Sequence, residues 1–112
     1  MEFDKIKAQV MTIEPDTMRI NNEKYFEAVI TIARLGGLIH VLEDIFGAPA
    51  WPSNNKLSKD MEKLVKDAGG LRRGQTLYFL NKEEGSIFAM LWPWQDGERI
   101  TIKISKSERR LA

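Results

Sequence analysis

The dipeptide Asp96-Gly97, set between an apolar segment and one that alternates in polarity, is the feature that most narrows what this chain can become. Asp-Gly is a preferred pair for tight hairpins because Gly takes up positive φ without steric cost. A two-residue turn here sets Gln95 opposite Glu98, and the pairing then runs back along both strands. On one side Pro93 faces Ile100, Leu91 faces Ile102 and Ala89 faces Ile104. On the other, Trp94 meets Arg99, Trp92 meets Thr101, Met90 meets Lys103 and Phe88 meets Ser105. The first face is apolar and belongs in a core. The second carries aromatics on one strand and polar or cationic groups on its neighbour. Pro93 has no N–H for the ladder, so the strand must bulge or end near it.

Residues 76–80 read as a preceding strand, joined through a turn at 81–86, with Leu77 and Phe79 beside Met90 and Phe88 on the second face. A middle strand apolar on both sides needs cover on both sides. Two amphipathic helices are expected on the first face. The second face is left for the N-terminal strands, a second copy of the chain or a partner, and a homodimer through it is the structural expectation.

Leu35, Leu38, Ile39, Leu42, Ile45 and Phe46 follow helical spacing, with Gly47 placed to stop the helix. Gly36-Gly37 in its first turn implies that the helix starts after them or that another backbone packs there. The second helix carries Leu57, Met61, Leu64, Val65 and Ala68 on one side and is closed by Gly69. Near the N-terminus, Ile6, Ala8 and Val10 alternate with Lys5, Lys7 and Gln9, the period of a half-buried strand. A turn at Glu14-Pro15-Asp16-Thr17 leads to a strand over 17–21. Asn22 either caps a helix from Glu23 or opens a hairpin turn. The β-branched run Val29-Ile30-Thr31-Ile32 favours the hairpin. The expectation is an α+β fold in the order βββααβββ: an antiparallel sheet from an N-terminal hairpin or meander and a C-terminal three-strand meander, packed on two helices. Residues 1–105 form one domain, and 106–112 a polar, basic tail.

With 112 residues, 43% of them apolar and 29% charged, the chain has the composition of an ordinary globular domain. No apolar run is long enough to cross a membrane as a helix, and Met1-Glu2-Phe3-Asp4 does not resemble a signal peptide, so a cytoplasmic location is expected. There is no cysteine and one histidine, which excludes disulfides, thiol chemistry and multi-histidine metal sites within one chain. No metal or cofactor is expected. The net charge of +1 leaves any preference for anions to local clustering.

Trp92 and Trp94, with Trp51, are candidates for an aromatic binding surface flanked by Arg99 and Lys103. Trp94 opposite Arg99 suits a cation–π contact. The plainer account makes these tryptophans core or lid residues. The segment Gly69-Gly70-Leu71-Arg72-Arg73-Gly74-Gln75-Thr76 offers Arg72, Arg73 and Gln75 to an anion, or is simply a helix cap followed by a turn. It lacks the ending of a phosphate-binding P-loop. His40 has no nucleophile tied to it by a motif, and Glu83-Glu84 at a turn read as solvated charges. Lys106, Arg109 and Arg110 extend the basic character of the C-terminus, but no nucleic-acid motif accompanies them, so nucleic acid is disfavoured. The sequence therefore points to a non-catalytic binding protein. The first reading is a protein-interaction module, a stoichiometric inhibitor or adaptor, using the aromatic and arginine sheet face. The alternative is an oligomeric protein that binds or sequesters a small anionic ligand through the 69–76 loop. No acid–base or nucleophile pair is nominated for an enzyme.

Overall fold

The computed structural model describes residues 2–51, 59–67, 70, 74–82 and 85–107. Its elements run α1 (Glu2–Met11), β1 (Thr17–Asn21), β2 (Tyr25–Thr31), a 3-10 turn (Ile32–Arg34), α2 (Leu35–Phe46), α3 (Lys59–Asp67), β3 (Thr76–Lys82), β4 (Gly85–Pro93) and β5 (Arg99–Ser107). All strand pairs are antiparallel, in the order β1-β2-β5-β4-β3, giving the expected α+β class. None of the helices described is long and apolar enough to cross a membrane.

The first segment is a helix, not the expected strand. Ile6, Ala8 and Val10 do alternate, but Phe3 decides between the two periods. In an extended chain Phe3 would lie on the face opposite Ile6, whereas a helix brings Phe3, Ile6 and Val10 onto one side. All three are buried, and Ala8 is exposed. The helix tightens at its end through bonds from Thr12, Ile13 and Glu14 N–H to the carbonyls three residues back. Glu14 then takes φ 60°, ahead of Pro15. Arg34 holds this corner, donating to the Ile13 carbonyl at 3.0 Å and pairing with the Glu14 carboxylate at 3.2 Å.

Residues 25–31 are strand, as the β-branched run implied. Asn22 makes the bonds of a helix cap but uses them to close a hairpin: its Oδ1 accepts from Lys24 N at 3.0 Å and Tyr25 N at 2.9 Å. The β4–β5 register is the one the sequence implied, with Leu91 opposite Ile102, Ala89 opposite Ile104 and Trp92 opposite Thr101. The turn itself differs. Four residues, 95–98, connect the strands, with Trp94 N–H donating to the Arg99 carbonyl and Gly97 N–H to the Trp94 carbonyl. Gly97 supplies the positive φ of 70°, and the Asp96 carboxylate accepts from Glu98 N and Arg99 N. Four loop residues in place of two drop one cross-strand pair and keep the faces unchanged. β4 ends at Pro93, next to which Trp94 N–H still bonds to the Arg99 carbonyl, while β5 runs to Ser107, two residues into the segment expected to be tail.

The first face of the sheet is covered by α1 and α2, not by α2 and α3. Phe3, Ile6 and Val10 join Leu38, Leu42 and Phe46 over Phe26, Ala28, Ile30, Ala89, Leu91, Ile100, Ile102 and Ile104. α2 begins at Leu35 and includes both glycines. The close neighbour at Gly37 is a side chain: a Cβ there would meet Ile13 Cδ1 at 3.4 Å. α3 lies on the second face, where its Val65 packs with Leu77, Phe88 and Met90. Its end is marked by Gly70, at φ 82° and donating to the Val65 carbonyl; Gly69 lies outside the described residues.

Ala8 offers a substitution whose sign separates helix from strand. Ala8→Val is expected to lower stability by about 0.5 kcal/mol, because a β-branched residue loses rotamer freedom in a helix. On a strand the same change would stabilise. A fall of about 2–4 °C in the thermal midpoint is the expected result, and a rise would contradict a helical α1.

Candidate functional site

Alternation along β4 sends Phe88, Met90 and Trp92 to the second face, and pairing brings Ser105, Lys103 and Thr101 of β5 alongside them. β2 follows, with Tyr25 opposite Ser105, Glu27 opposite Lys103 and Val29 opposite Thr101. The face is then divided. Over β3 and β4 it is closed by Val65 of α3, with Ala50, Trp51, Phe79 and Trp92 packed around the same cluster. Over β5, β2 and β1 no helix lies among the described residues, and the surface is built from the sheet's own side chains.

Trp94 is the centre of that open half. Its indole N–H donates to Thr101 Oγ1 at 2.8 Å, so the ring folds back from the end of β4 over β5. The Arg99 guanidinium stands 5.3 Å from the ring centroid and that of Arg19 5.6 Å. Arg19 comes from β1, two strands beyond β5, and reaches the ring because β1 is irregular there. The register shifts between Met18 and Ile20, so Met18 pairs with Ala28 and Ile20 with Glu27, leaving Arg19 as the extra residue. Such a bulge turns a side chain out of strict alternation.

Trp92 carries Lys103, whose Nζ lies 3.4 Å from the ring centroid. Burial pushes the Lys103 ammonium below its usual pKa; nearby Glu27 opposes that shift and Arg19 adds to it. The indole Nε1 of Trp92 is buried and has no hydrogen-bond partner among the described residues. Glu27 is the acid of this surface, and both its oxygens are engaged: Tyr25 Oη donates to one at 2.6 Å and Arg19 approaches the other at 3.4 Å. Burial and then the hydrogen bond to Glu27 raise the pKa of Tyr25.

Of the residues singled out in the sequence, Trp92, Trp94, Arg99 and Lys103 meet on this surface, and the cation–π contact between Arg99 and Trp94 is present. Trp51 lies at the far edge, where it bridges to Leu77 of β3 and packs in the α3 cluster. Gln75 is buried just ahead of β3 and engaged in an interaction of its own. Arg72, Arg73 and the Glu83-Glu84 pair lie outside the described residues. His40 is an exposed helix residue paired with Asp44 at 3.4 Å. Arg19, Tyr25 and Glu27 were not anticipated. Tyr25 and Glu27 follow from alternation once β2 is laid against β5; Arg19 depends on a bulge that no turn residue announces. Among the described residues, no cluster of His, Asp or Glu is placed to hold a metal ion. With Glu27 engaged and the Arg19 and Arg99 side chains half exposed, the surface presents donors and is suited to hold acceptors.

The two tyrosines of the chain give a pH test. Both are raised above the ordinary value of 10.0: Tyr25 as described, and Tyr78 by burial and then by Glu43 beside its hydroxyl. Folding thus favours the neutral phenols, so their contribution to stability is complete below pH 10.0 and is lost as the pH rises beyond it. Near-ultraviolet absorbance should show tyrosinate appearing only as far-ultraviolet circular dichroism is lost. Ordinary titration in an intact fold would contradict the burial described. Compared with family models, with curated proteins and with solved structures, the chain matches none.

Proposed function

We propose that the chain is a non-catalytic interaction module that docks a partner protein on the open half of its second sheet face. The observation that carries this reading is the state of Trp94: a half-buried indole, pinned to Thr101 by its N–H, with two half-exposed guanidiniums over its ring. Tryptophan and arginine dominate the energetics of protein interfaces, and residues held in place before binding lose little entropy on forming the complex. The rest of the surface is a stretch of paired strands from β5, β2 and β1, and an extended protein segment suits such a face. A homodimer through this face is less well supported than a different partner, because a second copy would bring the same cations against these.

The test starts from a random displayed-peptide library selected on the immobilised protein, with the selected peptides then made and titrated by tryptophan fluorescence. Trp94→Ala is expected to weaken binding by about tenfold or more, the effect of losing a contact of about 1.4 kcal/mol. Trp94→Phe, which keeps a ring, should lose less. Selected peptides that bind the Ala variant as tightly as the parent, with its thermal transition intact, would sink the proposal.

A further inference from the structure

We infer that the segment docked on this face is acidic and extended, and that Arg19 and Arg99 are the two side chains that take its carboxylates. The inference rests on the docking reading above and adds the chemistry of the partner.

The aromatic rings of the surface are already occupied by the chain's own cations, Lys103 on Trp92 and both guanidiniums on Trp94. A platform for stacked nucleobases needs open ring faces; here N–H groups stand where bases would lie. Each guanidinium has five donors in a planar fork that matches a carboxylate. Arg19 uses one nitrogen on one Glu27 oxygen at 3.4 Å, and Arg99 stands 3.9 Å from a single Asp96 oxygen. Neither contact is the two-pronged pairing that a carboxylate permits. Both arginine side chains are 46% exposed. Tyr25 already holds the other oxygen of Glu27. Among the described residues the surface therefore has three cations, Arg19, Arg99 and Lys103, against Glu27 within it and Asp96 at its rim, which leaves it short of acid. An extended peptide with acids at alternate positions presents carboxylates on one side at intervals of roughly 7 Å. That pattern suits a sheet face whose arms come from β1 and β5.

The test uses a heptapeptide of alternating Glu and Thr with blocked ends, its Gln counterpart, the same frame with phosphoserine in place of Glu, and a short oligouridine RNA. Each is titrated against the full chain by tryptophan fluorescence at low and at raised salt. The Glu peptide is expected to bind, to weaken with salt, and to lose about tenfold in affinity with Arg19→Gln or Arg99→Gln, while the Gln peptide does not bind. Arg→Lys at both positions should restore only part of the loss, since lysine keeps the charge without the fork. The guanidinium Nε–Hε resonances of Arg19 and Arg99 in the parent protein give a second readout that needs no variant, and both should shift on adding the Glu peptide. Library-selected peptides that depend on Trp94 but ignore both Arg→Gln changes would overturn this inference and leave the docking reading standing. Tighter binding of the phosphopeptide or the RNA than of the Glu peptide would also overturn it, as would resonances that do not move. If nothing binds through Trp94, both readings fall.

Discussion

The parity with which β4 and β5 pair is the constraint on which both faces of the molecule depend. Side chains alternate across a strand, so one step of slip would turn Ile100, Ile102 and Ile104 away from α1 and α2 and bring Thr101 and Lys103 under them. Asp96 helps to prevent that slip. Its carboxylate takes the N–H groups of Glu98 and Arg99, while Trp94 and Arg99 close the ladder behind it. The turn that sets the core therefore also sets where Trp94 and Arg99 stand, and the surface cannot be displaced without disturbing the hairpin.

The two faces are covered by different means. On the first, α1 and α2 bring six apolar side chains onto a sheet face of isoleucine, leucine, alanine and phenylalanine. On the second, among the described residues, α3 and Trp51 close the β3–β4 half. Across β5 and β2 the cover is made by long amphipathic side chains lying flat, which shelter Val29 and Thr101 (2% and 5% exposed) while keeping their charged ends in water. Such cover is rearranged more easily than a helix is undocked.

Much of this was legible in the sequence, and the gaps have physical causes. The hairpin register, the β2 assignment and the helix at α2 all rest on local chemistry that a linear reading can reach. α1 was misread because two periods coexist over residues 5–10 and only Phe3, outside that window, breaks the tie. Asn22 shows the limit of cap signals: one side-chain oxygen satisfies the start of a helix or of a hairpin, and the residues after it decide. The side on which α3 packs is a tertiary choice that its own amphipathic pattern does not encode. On the surface, the residues read from the β4–β5 hairpin were found. Those contributed by β2 and β1 needed the sheet order, and Arg19 needed a bulge.

That bulge has a consequence at the margin of the sheet. Unpaired strand edges invite other chains to add on and grow into aggregates. One margin, β3, is blocked at Leu77, whose backbone groups are taken by Ala50 and Trp51. The other, β1, is exposed along its whole length and carries two apolar residues, Met18 and Ile20, on view. It is short, and the extra residue at Arg19 throws its hydrogen-bonding groups out of step, so an incoming strand would find no continuous ladder to copy. The irregularity that delivers a cation to Trp94 also interrupts the regular edge that strand addition would need.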